Sequence, residues 1–281
     1  MSTTLPGTLY LVATPIGNLS DISARAVNVL ADIDFIAAED TRVTRKLLEH
    51  LSIKKPLVSY YKHNSRTSGE KVINRLLEGE SCALVTDAGT PGISDPGEDL
   101  VRLCADENIP MVIIPGPCAA VSALALSGFP SGRFTFEGFL PTDKKKRSLF
   151  LDELKAEKRT MVFYEAPHKL KRTLSDLHSA FGDRRISISR EMTKIYEETL
   201  RFTISEAIIH FEDKPPRGEF VLIIEGVSAP PAEENNLDEG IKNAAALIDE
   251  GFSVRDAVKK AAEKTGCSRN ALYKALTNRI S

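Results

Sequence analysis

The chain has little cysteine and no marked excess of either charge. Its four cysteines, among 281 residues, stand at positions 82, 104, 118 and 267 and show no C-x-x-C spacing. We therefore expect reduced thiols, as in cytosolic proteins, and neither a disulfide framework nor a cysteine metal site. The net charge of −2 argues against a uniformly basic surface for nucleic acid, although it leaves room for local basic patches.

Long apolar runs are absent as well. The longest one near the N-terminus, residues 9–13, is broken by Pro15 and has no basic leader. We therefore expect neither a secretion signal nor a membrane-spanning helix, and we predict a cytoplasmic protein.

Several common catalytic motifs are also missing. The sequence has no G-x-x-x-x-G-K-[ST] phosphate loop, no G-x-G-x-x-G after its first predicted strand, no G-x-S-x-G elbow and no H-E-x-x-H pair. The first two absences argue against an NTPase and against a dinucleotide oxidoreductase. The five histidines are scattered along the chain, so we predict no metal site.

What is present is a regular alternation of apolar strand-length segments and amphipathic helical patterns, which predicts an α/β fold with a largely parallel sheet. The predicted strands of the first half are residues 9–13, 35–38, 57–60, 82–85 and 111–114. Those of the second half are residues 134–140, 160–164, 186–189, 199–203 and 220–224. We predict two α/β domains, residues 1–117 and 118–228, and then a small helical unit, residues 237–281.

The segment at residues 84–100 is rich in glycine, proline and small polar residues. It joins a predicted strand to a predicted helix, which is where open α/β sheets bind ligands. Within it, residues 87–91 are the better candidates for a site. Asp95, Pro96 and Glu98 match a helix start with a capping box, so we predict that Asp95 caps a helix rather than contacting a ligand.

Two further loops at strand ends have the same character, residues 14–18 and residues 115–119. Loops of this kind, without strong acids or bases, are suited to holding a preformed reactive cofactor. The three loops together therefore predict a cofactor site at the carboxyl ends of the strands.

The C-terminal part is predicted to be helical and basic. Residues 229–236 have the composition of a linker. Residues 252–281 carry seven basic and two acidic side chains, a local net charge of +5. Two predicted helices separated by a turn at residues 265–267 have the outline of a helix-turn-helix nucleic-acid module, although basic helical tails also serve as plain packing elements.

Six segments, taken in order, carry a resemblance to a known family. They are T-P-I-G-N-L at 14–19, A-E-D-T-R at 38–42, D-A-G-T-P-G-I-S-D-P-G at 87–97, P-G-P-C-A-A at 115–120, F-Y-E at 163–165 with His168, and R-E-M-T-K at 190–194. This set resembles the RNA-acting branch of the tetrapyrrole methylase superfamily, the bacterial cytidine 2'-O-methyltransferases of small-subunit ribosomal RNA. The likeness covers nearly the whole chain, including the tail, and Met192 stands where a leucine is expected.

The resemblance implies a two-domain tetrapyrrole-methylase-like fold that binds S-adenosylmethionine in a cleft between the domains, usually in a homodimer. The donor contacts that it carries over by position are Pro15, Ala88, Gly89, Thr90, Cys118 and Ala119. The tetrapyrrole branch has an aspartate where Thr90 stands, so hydrogen bonding to the donor can differ there. The implied reaction methylates the ribose 2'-hydroxyl of a decoding-region cytidine in 16S rRNA within the small ribosomal subunit.

Candidates for RNA contact come from a basic run after Pro141 and from the tail. They are Lys144, Lys145, Lys146, Arg147, Arg255, Lys259, Lys260, Arg269 and Lys274. Candidates for accepting the hydroxyl proton are Glu165 and Glu191, at predicted strand ends, and His63. Each of these three is equally compatible with an ordinary surface or ion-paired residue.

Two other functions remain open on the sequence. One is methylation of a tetrapyrrole or corrinoid, against which the basic tail argues, because a small macrocycle needs no such module. The other is a non-catalytic nucleic-acid-binding regulator, against which the three loops argue, because a regulator needs no such cleft.

Overall fold

The computed structural model describes residues 5–61, 65–227 and 234–280. Contacts between residues divide the chain into two compact units, Met1–Gly226 and Val227–Ser281. The first unit contains two five-stranded sheets, and the described part of the second contains three helices. No helix in these described ranges combines the length and the apolar character that a membrane crossing requires.

The first sheet is entirely parallel, which confirms the prediction for this half of the chain. Its strands run in the order β3-β2-β4-β1-β5. They are β1 (Leu9–Val12), β2 (Phe35–Ala38), β3 (Leu57–Ser59), β4 (Cys82–Val85) and β5 (Met111–Ile114). The connecting helices are α1 (Ala24–Asp32), α2 (Thr41–His50), α3 (Ser65–Leu77) and α4 (Glu98–Asp106).

Burial on both faces explains why the central strands β2 and β4 are apolar throughout rather than alternating. In β2, Phe35 and Ala37 pack into one core cluster, while Ile36 and Ala38 pack into another. Successive side chains of a strand point to opposite faces, so the two clusters lie on opposite faces of the sheet. Truncating the fully buried Phe35 to alanine is expected to cost about 3–5 kcal/mol.

The second sheet is mixed. Its order is β6-β7-β10-β8-β9, in which β6 and β7 are parallel and the other neighbours are antiparallel. The strands are β6 (Phe134–Phe139), β7 (Thr160–Glu165), β8 (Arg185–Arg190), β9 (Glu198–Thr203) and β10 (Phe220–Ile224). The helices are α5 (Ala119–Ser127), α6 (Lys144–Leu154), α7 (Leu170–Phe181) and α8 (Ile204–Asp213). All five strands were predicted to within one residue at each end.

Alternation along the strands again separates two cores. In β7, Met161 and Phe163 belong to the larger cluster with residues of α7 and α8, whereas Val162 belongs to a smaller cluster with α5. The predicted domain boundary at residue 117 lies between β5, the last strand of the first sheet, and α5, which contacts the second sheet. Both sheets nevertheless fall within one compact unit by their contacts, and the domain limits stay a prediction.

The prediction that Asp95 caps a helix is wrong. Helix α4 begins at Glu98, and its N-cap is Gly97, which makes no side-chain capping hydrogen bond. Gly97 has φ +147°, and a Cβ there would lie 2.9 Å from Leu84 Cδ2. Only glycine fits this position comfortably, so the helix starts two residues later than the capping-box pattern suggests. Asp95 is left in the loop before the helix.

The second unit has a small core of its own. Its helices are α9 (Glu234–Asp249), α10 (Val254–Thr265) and α11 (Arg269–Ile280). Ala244, Ala261 and Leu272, one from each helix, are fully buried. The predicted turn between α10 and α11 is confirmed, with Gly266 in the left-handed conformation that ends α10. Residues 229–233 of the predicted linker lie outside the described residues. For residues 234–236 the linker prediction is wrong, because they form the start of α9.

Candidate active site

Two neighbouring strands of the parallel sheet, β1 and β4, deliver two of the predicted loops to one place. After β1, the Thr14 amide donates a hydrogen bond to the Gly89 carbonyl at 2.9 Å, and the Gly89 amide donates to the Thr14 carbonyl at 3.1 Å. The Thr14 hydroxyl also donates to the Thr86 carbonyl at 3.1 Å. These bonds fix the loop after β1 against the loop after β4.

The third loop joins them through the end of β5. The Thr90 hydroxyl donates a hydrogen bond to the Pro117 carbonyl at 3.3 Å. A Cβ added to Gly116 would lie 3.0 Å from Ala13 Cβ, so a larger residue there would push the two loops apart. The structure thus brings together the three loops that the sequence singled out.

These loops form one wall of a cleft of about 280 Å³. Ala88, Gly89, Thr90, Cys118 and Ala119, the donor contacts implied by the resemblance, all line this cleft. Pro15 does not line it, whereas its neighbour Ile16 does.

Gly89 occupies a backbone conformation that side chains rarely adopt. Its φ is +92°, and a Cβ there would meet Ile16 Cγ2 at 3.6 Å and the Pro117 carbonyl oxygen at 3.8 Å. The distances are ordinary van der Waals contacts, so the requirement for glycine comes from the positive φ rather than from crowding. Gly89 therefore lets the loop turn back along the cleft.

The second sheet contributes three aromatic side chains to the cleft lining, Phe139, Tyr164 and Phe220. The Tyr164 ring lies 5.2 Å from the Phe136 ring and 5.6 Å from the Phe139 ring, measured between centroids. The Tyr164 hydroxyl accepts a hydrogen bond from the Ala120 amide at 3.1 Å. Burial raises the pKa of Tyr164 to about 12, so it is a neutral phenol at physiological pH.

Three carboxylates also line the cleft, of which Asp87 lies in the predicted candidate loop and Asp95 was predicted to cap a helix. Glu39, Asp87 and Asp95 all line the cleft. The Thr86 hydroxyl donates to Glu39 Oε2 at 2.6 Å, and the Asp40 amide donates to Asp87 Oδ1 at 3.0 Å. Glu39 follows a buried strand and lies in the A-E-D-T-R segment at 38–42, but it was not singled out as a site residue.

Burial and neighbouring negative charges raise the pKa values of two of these carboxyl groups, Asp95 and Asp87. Burial raises the pKa of Asp95 to about 6, and the negative charges of Glu39, Asp87 and Glu219 add to this effect, while a hydrogen bond from Thr86 opposes it. The pKa of Asp87 is also raised, first by burial and then by Glu39. Asp95 therefore titrates close to physiological pH, unlike an exposed aspartate.

Glu165, the first candidate for the proton acceptor, lies in the cleft but is already engaged. It is buried, with 3% of its surface exposed. Its Oε1 accepts a hydrogen bond from the Ala166 amide at 2.9 Å, and its Oε2 accepts one from the Thr173 hydroxyl. Both carboxylate oxygens therefore have a protein donor.

Arg147 completes this network, which corrects its assignment to the RNA surface. It donates to Thr173 Oγ1 at 2.8 Å and to Asp176 Oδ2 at 2.6 Å, and it is 5% exposed. A guanidinium buried in this way has no surface to offer a phosphate. Its role here is to hold Thr173, and through it Glu165.

Glu191, the second candidate, is not brought into the cleft. Glu191 has φ +50° and forms an ion pair with Lys194 at 2.9 Å, and it does not belong to the cleft lining. His63 lies outside the described residues.

The remaining candidates for RNA contact are exposed. Lys144, Lys145 and Lys146 form the exposed first turn of α6. In the tail the exposed basic side chains are Arg255, Lys259, Lys260, Arg269 and Lys274. Arg269 pairs with Glu263 at 2.7 Å, and Lys260 lies over the Phe252 ring at 3.9 Å.

Comparison with known proteins places this arrangement in a family. Residues 8–208 match the family model described as Tetrapyrrole (Corrin/Porphyrin) Methylases. A solved structure of uroporphyrin-III-C-methyltransferase from Thermus thermophilus resembles the chain with a TM-score of 0.55 and 19% identity, over 78% of this chain and 94% of that one. At this level of identity the likeness is one of fold.

Two curated relatives are much more similar in sequence. Ribosomal RNA small subunit methyltransferase I of Halalkalibacterium halodurans is 47% identical over 270 residues, 95% of this chain and 93% of that protein. The protein of the same name from Thermotoga maritima is 50% identical over 220 residues, 78% of this chain and 99% of that protein. The chain therefore belongs to the tetrapyrrole methylase family, and within it to the group named ribosomal RNA small subunit methyltransferase I. This family is one of methyltransferases, which implies a bound methyl donor.

Proposed function

We propose that this protein transfers a methyl group from S-adenosylmethionine to the ribose 2'-hydroxyl of a decoding-region cytidine in 16S rRNA. The observation that carries the proposal is the 47% identity, over 95% of the chain, with a protein named for ribosomal RNA small-subunit methylation. The convergence of three small-residue loops on one cleft supports it, because such a cleft serves a methyl donor and not a simple regulator.

The residues of the cleft fit this donor chemically. When bound, S-adenosylmethionine supplies an electrophilic methyl group on a positively charged sulfonium. Glu39, Asp87 and Asp95 place negative charge along the cleft, which favours a cationic ligand. The aromatic rings around Tyr164 suit a flat base. Gly89 has no side chain, so a ligand can approach the backbone closely there. Holding donor and acceptor in line can contribute roughly 7–11 kcal/mol in well-aligned systems.

We assign RNA contact to the exposed lysines of α6 and to the basic side chains of the tail. Lys144, Lys145 and Lys146 are adjacent and exposed, as phosphate-binding side chains must be. Arg147 is withdrawn from this set because it is buried.

We further infer that the protein acts in the cytoplasm as a homodimer, on RNA within the small ribosomal subunit. The edge strand β5 exposes Met111 and Ile113 to 37% and 50%, respectively, and an exposed apolar edge is a surface that a second copy can cover. Sedimentation equilibrium of the full chain tests this, since a monomer mass at micromolar concentration contradicts it.

The reaction is tested with small subunits isolated from cells that lack the corresponding methyl group. Labelled S-adenosylmethionine is incubated with assembled subunits, free 16S rRNA and a tetrapyrrole mixture in parallel. Label in 2'-O-methylcytidine after nuclease digestion is the expected result. Label in the tetrapyrroles alone supports the first alternative, and RNA binding without any transfer supports the regulator.

A further inference from the structure

Two large apolar side chains lie exposed at the mouth of the donor cleft, the cleft that we assign to the methyl donor. Most residues that line this cleft are buried or half-buried, but Ile93 and Phe139 are 44% and 55% exposed. Ile93 belongs to the loop between β4 and α4, and Phe139 ends β6 of the second sheet. Exposed apolar side chains that share one concave site indicate contact with a ligand.

A bulge in β6 directs the Phe139 ring into the cleft. Phe139 lies opposite Tyr164 of β7, and Phe136 lies opposite the residue two places before Tyr164. The register shifts between Phe136 and Gly138, so β6 has one extra residue here. Successive side chains of a regular strand alternate between faces, and without the extra residue the two phenylalanines would point to opposite faces. With it, both rings lie against Tyr164, at 5.2 and 5.6 Å between centroids.

The same stretch of β6 packs closely against the loop that carries Ile93. Gly138 has φ +63°, and a Cβ there would lie 3.2 Å from Ser94 Oγ. Glycine therefore satisfies both the positive φ and the close approach to this loop. Ile93 directly precedes Ser94, and its amide donates a hydrogen bond to the Thr90 carbonyl at 3.3 Å. The backbone thus brings Ile93 and Phe139 to the same part of the cleft.

The methyl donor by itself takes up most of the cleft. The cleft volume of about 280 Å³ is at the lower limit for sites that enclose a drug-sized ligand, roughly 300–1,000 Å³. S-adenosylmethionine is a ligand of this size class. The acceptor must therefore be held at the mouth, where Ile93 and Phe139 lie.

The charge of the cleft determines which part of an RNA chain can lie at the mouth. Glu39, Asp87 and Asp95 line the cleft, and its described lining includes no lysine or arginine. Carboxylates at short range repel phosphate, so a neutral base with its ribose fits this mouth better than the phosphodiester backbone does. Aromatic side chains bind unpaired RNA bases by stacking on them.

We propose that Phe139 stacks on the base of the acceptor nucleotide, beside Ile93, and thereby places the ribose hydroxyl next to the donor methyl group. This proposal rests on the proposed ribose methylation. Stacking uses the flat face of a base and not its hydrogen-bonding edge. Phe139 therefore positions the nucleotide without selecting cytosine over other bases.

Single-turnover methylation of small subunits at saturating donor tests the contribution of the ring. At subsaturating subunits, the rate of Phe139→Ala should fall roughly 10- to 100-fold, as expected for one lost stacking contact. Phe139→Tyr should keep most of the rate because it keeps a flat ring, whereas Phe139→Leu should lose nearly as much as Phe139→Ala. Phe134→Ala is the matched control, because Phe134 begins the same strand, is 40% exposed and does not line the cleft.

A fluorescence measurement reports the contact itself. The chain contains no tryptophan, so growth of Phe139→Trp on 5-hydroxytryptophan labels this position alone. The label is excited at wavelengths where the tryptophans of ribosomal proteins do not absorb. With the donor site filled by S-adenosylhomocysteine, small subunits should quench its emission, because a base stacks on the indole. The same label in Phe134→Trp, at the other end of β6, should change little.

Calorimetry separates contact with the acceptor from contact with the donor. The affinity of Phe139→Ala for S-adenosylmethionine should stay within a few-fold of wild type, which also reports that the cleft is folded. If donor affinity falls in step with the rate, the ring belongs to the donor site and the proposal is wrong.

Failure of this proposal and failure of the proposed function are distinguishable. Wild-type protein that transfers no methyl group to RNA refutes the proposed function, and the stacking role of Phe139 falls with it. If the wild type is active, the stacking role alone is overturned by a Phe139→Ala rate within a few-fold of wild type. Equal rates for Phe139→Leu and Phe139→Tyr, or an unquenched label at position 139, overturn it as well.

Discussion

The two units of the chain are built in different ways. In the first unit the functional side chains come from distant parts of the sequence, as in the hydrogen bonds between Thr14 and Gly89 and between Thr90 and Pro117. In the tail the basic side chains are exposed on consecutive helices, and the core is a single cluster of apolar residues contributed by those helices. A site for chemistry thus depends on the long-range fold, whereas a basic surface depends on local sequence.

A length comparison agrees with this division. The Thermotoga maritima relative matches 220 residues of this chain, which is 99% of its own length. That length is close to the 226 residues of the first unit. We therefore expect the first unit to hold the donor without the tail, and the tail to modulate RNA engagement.

The largest expected effect lies in the donor cleft. Gly89→Val places a β-branched side chain at φ +92° against the cleft, so donor affinity should fall at least about 100-fold, or ~3 kcal/mol, at every salt concentration. Isothermal titration with S-adenosylmethionine measures it. Gly132→Val is the control, since a Cβ at Gly132 meets nothing within 4 Å. A folded Gly89→Val protein with wild-type affinity would remove this loop from the donor site.

Disrupting the buried hydrogen bonds that support Glu165 should mainly lower the free energy of unfolding. Arg147→Met leaves Asp176 without its 2.6 Å ion pair and Thr173 without its donor, which should cost about 3 kcal/mol of unfolding free energy. Denaturant unfolding measures the loss. Lys145→Met, on the exposed side of the same turn, should stay within about 0.5 kcal/mol of wild type. If the Arg147 variant is equally stable and binds RNA less well, Arg147 belongs to the RNA surface after all.

Deleting residues 234–281 should have a moderate effect that depends on salt. Affinity for small subunits should fall roughly tenfold, and the slope of log affinity against log salt should become shallower by about 0.7–0.9 for each phosphate that the truncated protein no longer neutralises. Donor affinity should not change. Filter binding from 50 to 300 mM salt provides the measurement, and identical slopes for both proteins would show the tail to be a packing element only.

The smallest effect concerns the stability that Asp95 costs the protein. Its pKa is about 6 in the folded chain against an ordinary value of 3.8, so the folded state binds the proton more tightly. This contribution is fully present below pH 3.8 and is lost as the pH rises to about 6. At pH 7.5 Asp95→Asn should therefore be more stable than wild type, by about 1 kcal/mol after allowance for solvent screening.

Thermal unfolding at pH 7.5 and pH 4 measures this difference, which should shrink at the lower pH. A destabilised Asp95→Asn protein at pH 7.5 would indicate that the carboxylate holds the loop together.

The sequence by itself determined the positions of the strands, the order of the loops along the chain, and the helical and basic nature of the tail. Short apolar runs such as residues 35–38, bounded by polar residues, favour buried strands, and glycine at positions 89 and 266 marks turns, because these are local properties of the backbone and side chains. The three candidate loops were also found this way, since each of them follows an apolar strand.

Tertiary structure alone decided which charged residues serve the site. Arg147 follows three exposed lysines in sequence but turns inward to Thr173 and Asp176, and Asp95 matches a capping box but is displaced from the helix start by Gly97. A local sequence pattern predicts structure only over one or two helical turns. Burial, ion pairing and the pKa of a carboxylate depend on groups that are distant in sequence and come together only in the folded unit.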